Sequence, residues 1–247
     1  IVFGDWSSDV CSSDLVWAIL SGTGMILVIA GISRPMVVII TGALIVALSL
    51  YLLWFFRDTE RTGPESEALI VSAADGKVTG IERFSPGEFK DICLRSGILP
   101  SVFDRMSEFT GHPVVRISVF LSLTDVHVNR SPMSGTAEFL GYFPGKHLLT
   151  IREKSSEVNQ HNAIRIFNHS TGCLMFQIVG PVARRVVYWP DKTKPVNIQR
   201  DERIGMMKFG SRLDLYFPEA DILLMIKPGD RVTAGITPIA KLNTYSA

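Results

Sequence analysis

Residues 205–218 read GMMKFGSRLDLYFP. Apolar side chains alternate on both sides of Gly210-Ser211: Met207 and Phe209 before it, Leu213, Leu215 and Phe217 after it. A period of two marks a half-buried strand. The Gly-Ser pair interrupts that strand with no Pro, Asn or Asp to complete a hairpin turn. Three readings are open. Gly can kink a strand into a β-bulge. Ser211 can be a hydrolase nucleophile, although Phe209-Gly210-Ser211-Arg212-Leu213 lacks the Gly-x-Ser-x-Gly elbow. Or Ser211 attacks its own upstream peptide bond, with Gly210 leaving the carbonyl open and tolerating a strained backbone. Spacing alone favours the bulge.

The flanking chain is mostly β. ALIVSAADGKVTGIE (68–82) reads as strand, Asp75-Gly76 turn, strand. Val114–Leu123 alternates and then runs apolar, as a core strand does. NAIRIFNHSTGCLMFQIVG (162–180) reads as strand, Asn168–Gly172 turn, strand, and DILLMIKPGDRVTAGITPIAKL (221–242) as three strands broken at Pro228-Gly229-Asp230 and Gly235. Helical pattern is weak and best between Pro86 and Thr110. The expected fold is mainly β, a β-dominated α+β domain over residues 68–247, with hammerhead-like hairpins near Asp75 and Asp230.

The 247 residues carry a formal charge of +1, so nothing argues for nucleic acid. The mean hydropathy of +0.25 is high, and the excess is local. Val16–Ile32 and Met36–Phe56 are apolar runs separated by Ser33-Arg34-Pro35. The second has no charge and is long enough to cross a hydrocarbon core of ~30 Å. A transmembrane helical hairpin over 16–56 is expected, then a charged linker at 57–67. Trp54-Phe55-Phe56 followed by Arg57 and Arg61 reads as an interfacial belt with the C-terminal domain on the cytoplasmic side of an inner membrane. Asp5–Leu15, DWSSDVCSSDL, has no apolar period and resembles a translated sequencing adapter, so residues 1–15 are set aside as non-native. Cys11, Cys93 and Cys173 have neither disulfide nor metal spacing.

SAADGKV, FLSLTDVHVNRSPMSG, VGPVARRVVYWP and RIGMMKFGSRLDLYFP occur in this order, after LLWFFRDTERTGP. Together they resemble the phosphatidylserine decarboxylase proenzymes of the short bacterial and archaeal type, from about Met36 to Ala240. The resemblance implies scission between Gly210 and Ser211, a β chain ending at Gly210 and an α chain of residues 211–247. It implies that Ser211 becomes a covalent pyruvoyl group, the electron sink for decarboxylating phosphatidylserine to phosphatidylethanolamine. It also implies that Ser211, His127 and Asp75 form the self-cleavage triad.

Each residue suits its role. Ser211 supplies Oγ, His127 can take its proton near neutral pH, and Asp75 can hold the imidazole in one tautomer. Without the resemblance, His127 reads as a structural histidine and Asp75 as a turn former. Arg130 stands where some branches of the family carry a second histidine, so His127 is left to serve both cleavage and decarboxylation. Arg184, Arg185 and His161 are candidates for the substrate phosphate, although Arg184-Arg185 reads equally well as a solvated strand end. Residues 82–113 look like a loop-rich insertion near the membrane. The sequence leaves homo-oligomers open and suggests no metal. Two other activities remain: a pyruvoyl-dependent decarboxylase of another amine-bearing lipid or amino acid, and a membrane-anchored β-domain without catalysis.

Overall fold

A computed structural model describes residues 35–145, 159–180, 186–207 and 211–243. The chain divides into two units, 1–60 and 61–247. In the first, the second apolar run forms one helix, α1 (Pro35–Phe55). It has no charged residue, and Ile39, Leu44, Val46, Leu50 and Trp54 are all exposed. Arg57 closes its end, with the guanidinium 4.0 Å above the Trp54 ring. No helix among the described residues qualifies as a membrane span by length and hydropathy together. The expected transmembrane hairpin is therefore not found: its first arm lies outside the described residues, and its second is this single helix.

The second unit is built on one antiparallel sheet of eight strands. In spatial order these are β13 (Arg231–Val232), β2 (Gly76–Phe84), β3 (Val114–Phe120), β11 (Arg212–Pro218), β7 (Gly172–Ile178), β6 (His161–Phe167), β5 (Gly135–Phe143) and β9 (Val196–Ile198). Two three-stranded sheets accompany it. One is β1 (Leu69–Val71), β14 (Pro238–Leu242) and β12 (Ile222–Leu224); the other is β4 (Val128–Arg130), β10 (Arg203–Met207) and β8 (Val186–Tyr188).

Alternation along the strands sends successive side chains to opposite faces of the large sheet. On one face, Ile117, Val119, Leu213, Leu215 and Met175 share a core with Ile70 and Ile239 of the first small sheet and Ile204 and Met207 of the second. On the other, Leu174, Phe176 and Tyr216 pack against residues of the 82–113 region. That region is not the loop-rich insertion expected. It folds into α2 (Pro86–Arg95), a single turn α3 (Pro100–Phe103) and a 3₁₀ turn at Ser107–Phe109. The start of α2 is fixed by a reciprocal capping box between Ser85 and Glu88, with Pro at the first helical turn. Its buried Phe89, Ile92 and Cys93 join Phe103, Met106 and Phe109 over the sheet. A buried phenyl group contributes ~1.5–3 kcal/mol, so this cover is a second core.

The cover changes the meaning of the opening stretch. Every residue of β11 is buried, the polar ones included. Alternation here separates two buried faces, not core from water. The interruption at Gly210-Ser211 is no bulge within one strand either. Residues before it run in β10, between β4 and β8, and those after it run in β11, between β3 and β7. The chain changes sheet there. The Asp75-Gly76 turn likewise joins β1 to β2 across two sheets and makes no hairpin. Gly76 has φ +148°, and a Cβ on it would sit 2.1 Å from the Phe120 carbonyl oxygen, so the turn requires glycine.

Candidate functional site

Two backbone bonds bring Ser211 and His127 into one neighbourhood. The Leu121 N–H donates to the Ser211 carbonyl (2.9 Å), extending the β3–β11 ladder past its last pair. The Met207 N–H donates to the His127 carbonyl (3.1 Å), extending the β4–β10 ladder. Residues 121–127 therefore touch the chain on both sides of 208–210, and Ser211 and His127 are both fully buried.

The segment between them is a tight turn. Asp125 accepts from the Ser122 N–H (2.8 Å) and Ser122 Oγ (2.7 Å), and its own N–H donates to the Ser122 carbonyl (3.1 Å). The Asp125 carbonyl so fixed lies 2.9 Å from His127 Nδ1. A carbonyl oxygen can only accept, so Nδ1 carries the proton and Nε2 the lone pair of the neutral ring. That is the tautomer of a general base acting through Nε2.

Side-chain amides tie this segment to the sheet. Gln177 Nε2 donates to Asn129 Oδ1 (2.8 Å), and Asn162 Nδ2 donates to Gln177 Oε1 (3.2 Å), all three buried. Asn129 shares its side of the extended chain with His127, two residues away. Gln177 lies across β7–β11 from Leu213, on the face that also carries Ser211. The His127–Asn129 side of β4 thus meets the Ser211 side of the large sheet.

Asp75 lies elsewhere in the hydrogen-bond pattern. Both its carboxylate oxygens meet the Arg61 guanidinium, at 2.5 and 2.8 Å, and Oδ1 also accepts the Ala234 N–H at 2.8 Å. The orienting bond on His127 Nδ1, expected from Asp75, comes from a backbone carbonyl. Arg130 pairs with Asp201 (3.1 Å). Gly210, Arg184 and Arg185 lie outside the described residues.

A family model for phosphatidylserine decarboxylase matches residues 48–240. A phosphatidylserine decarboxylase proenzyme of Carboxydothermus hydrogenoformans is 36% identical over 202 residues, 81% of this chain and 84% of the relative. The chain belongs to the phosphatidylserine decarboxylase family. Relatives of the same description from Symbiobacterium thermophilum (34% identical, covering 81% of this chain and 83% of the relative) and Syntrophus aciditrophicus (36%, 77% and 79%) agree.

In this family member, His161 sits among aromatic side chains. It is buried and stacked between Phe143 and Phe176, with ring centroids 5.2 and 5.0 Å away, and its Nδ1 bonds the Asn159 carbonyl (2.8 Å). Burial pushes its pKa below the usual histidine range, against the pull of the Asn159 and Ser96 carbonyls and of Asp214. The unfolded chain therefore takes up the proton first as the pH falls below ~6.5. Stability is full above that value and declines as the pH falls from it through the lowered folded value. In urea titrations at pH 7.5 and 5.5, His161→Phe is expected to lose less stability on acidification than the wild type. An equal loss in both would refute the assignment.

Sequence reasoning also passed over Arg212 and Asp214. Arg212 Nε donates to Asp214 Oδ1 (2.6 Å) and Nη2 to Ser118 Oγ (2.7 Å), with both ionic side chains almost wholly buried. Two opposite charges one strand repeat apart were the available signal. The pair anchors the first residue after Ser211. Asp214→Ala would strand the Arg212 charge and should cost about 3–5 kcal/mol in chemical unfolding, whereas an isolated surface pair would cost under ~1 kcal/mol.

Proposed function

We propose that this chain is the precursor of a pyruvoyl-dependent decarboxylase that converts phosphatidylserine to phosphatidylethanolamine. The observation that carries the reading is the juxtaposition of a buried serine at the head of β11 with a histidine whose Nδ1 proton is spoken for by a carbonyl. A base with its lone pair on Nε2 is what Ser211 Oγ needs to attack the Gly210 carbonyl carbon. The C–N bond breaks as the Gly210–Oγ ester forms, freeing the amine of residue 211. Loss of its α proton then expels the Gly210 carboxylate, and water replaces the nitrogen, released as ammonia. That the relatives are proenzymes supports processing into two chains.

The site suits the group so formed. Ser211 is sealed from bulk water, its carbonyl is held by Leu121, and Arg212 locks the strand behind it, so the new chain end stays in place once its upstream bond is gone. The pyruvoyl ketone would bind the substrate amine and take up the electrons left by carbon dioxide. His127 is the chain's own group for returning a proton. A substrate with two acyl chains costs ~0.8 kcal/mol per CH₂ to bring into water. An uncharged helix of 21 residues with many exposed apolar side chains supports a membrane-seated anchor, and Arg57 and Arg61 after it favour the cytoplasmic side of an inner membrane for the catalytic domain.

Intact-mass analysis tests the reading. It expects a fragment of residues 211–247 lighter than its serine form by one ammonia, and release of carbon dioxide from phosphatidylserine vesicles. An uncut chain, or a cut one active only on soluble amino acids, would refute it.

A further inference from the structure

The Arg61–Asp75 contact lies outside any role assigned so far. Arg61 follows α1 by only a few residues, in a stretch whose charge and Gly63-Pro64 suggest a linker. Yet it belongs to the second unit, and its side chain is 6% exposed. Its fork takes both oxygens of Asp75, and Nη1 also donates to the Ala234 carbonyl at 2.8 Å. The Ala234 N–H returns to Asp75 Oδ1. One residue of the 211–247 segment, Ala234, is thus held at both its N–H and its carbonyl by an ion pair from the 1–210 segment. A planar fork matched to a carboxylate fixes orientation as well as charge.

The grip leads toward the site. Residues 72–75 are laced to the same segment by Gly235 N–H to Ser72 carbonyl (2.8 Å) and Ser72 N–H to Thr237 carbonyl (2.9 Å). They are laced to β4 by Arg130 N–H to Ala73 carbonyl (3.0 Å), three residues from His127. Gly235 is held at φ +75°, with Asp201 Oδ1 where a Cβ would stand, so the backbone beside Ala234 is closely packed.

We propose that Arg61 is a positioning residue for self-cleavage that acts through Asp75, so that the segment after α1 is part of the maturation machinery. This rests on the reading of the chain as a self-cleaving precursor. Misplacing a reacting group by about 1 Å can cost ~100-fold in rate. Removing the fork without touching Ser211 or His127 should therefore slow maturation and leave the chemistry intact.

The experiment follows the appearance of the 211–247 fragment by intact mass in full-length wild type, Arg61→Gln, Arg61→Lys, Asp75→Asn and the Arg61→Gln/Asp75→Asn double variant, with melting curves for each. Arg61→Gln is expected to mature ~10–100-fold more slowly. Arg61→Lys, which keeps the charge and loses the fork, should recover part of that. The double variant should match Asp75→Asn, because a residue acting through another adds nothing once the other is gone. Maturation of Arg61→Gln within about twofold of wild type would overturn the proposal. So would multiplied effects in the double variant, or an Asp75→Asn that matures normally. If Arg61→Gln does not fold, Arg61→Lys decides: slowed maturation with a normal melt supports the role, and an unchanged rate removes it. Failure of the wild type itself to cut would instead overturn the self-cleavage reading.

Discussion

Ser211→Ala is expected to yield one uncut chain with no decarboxylase activity at any pH. The substitution removes a single buried oxygen from a residue whose carbonyl bond to Leu121 and whose neighbours in β11 are untouched. Loss of one such hydroxyl alters stability by about 1 kcal/mol, so the variant should be folded. Its failure to mature is then a chemical result. Alanine has no Oγ to form the ester, and no route remains to a ketone at position 211. The loss should be complete and not merely the ~10²–10⁴-fold expected for removing a proton-transfer group. Intact mass and carbon dioxide release from phosphatidylserine vesicles read both halves. A variant that still yields the 211–247 fragment would show that an outside protease makes the cut.

The strands were legible where their signals were local. Asn168 Oδ1 accepts the Ser170 and Thr171 N–H groups (2.8 and 3.1 Å), and the β6–β7 hairpin forms where the sequence marks it. The Asp75-Gly76 signal looks the same on paper, but β1 finds its partner in β14, at the far end of the chain. No window around residue 75 contains that information. The same limit explains β11. Its alternation is real, yet the polar face is dry because α2 and the turns after it cover it, and the cover comes from more than a hundred residues upstream. The burial of His161 was hidden for a related reason: nothing near NQHN indicates that Phe143 and Phe176 will close on the ring. Within the site, the side chains with distinctive chemistry could be singled out. The Asp125 carbonyl and the Leu121 amide could not, because backbone groups have no identity in a sequence until the fold aims them.

His127→Asn separates the two jobs that His127 would do by structure and by chemistry. Asn Nδ2 can occupy the place of His Nδ1 and keep the donor bond to the Asp125 carbonyl, while the lone pair on Nε2 is lost. The turn closed by Ser122 and Asp125 should then persist, and the melting curve should stay near that of the wild type. His127→Ala removes both and leaves a buried carbonyl without its partner, adding a stability cost of about 1–3 kcal/mol. Both variants should mature ~10²–10⁴-fold more slowly. Equal maturation defects with unequal melts would mean that the rate depends on the base and not on the fold. Maturation of His127→Asn at the wild-type rate would remove His127 from the cleavage step. The small fraction of His127→Asn that does cut then answers what the position of Arg130 leaves open. With arginine there and paired to Asp201, His127 has no second histidine three residues on to share proton transfer. Carbon dioxide release per pyruvoyl group, counted by mass in the same sample, should fall along with maturation. If it does not fall, His127 serves the precursor alone, and the proton that replaces carbon dioxide comes from another group.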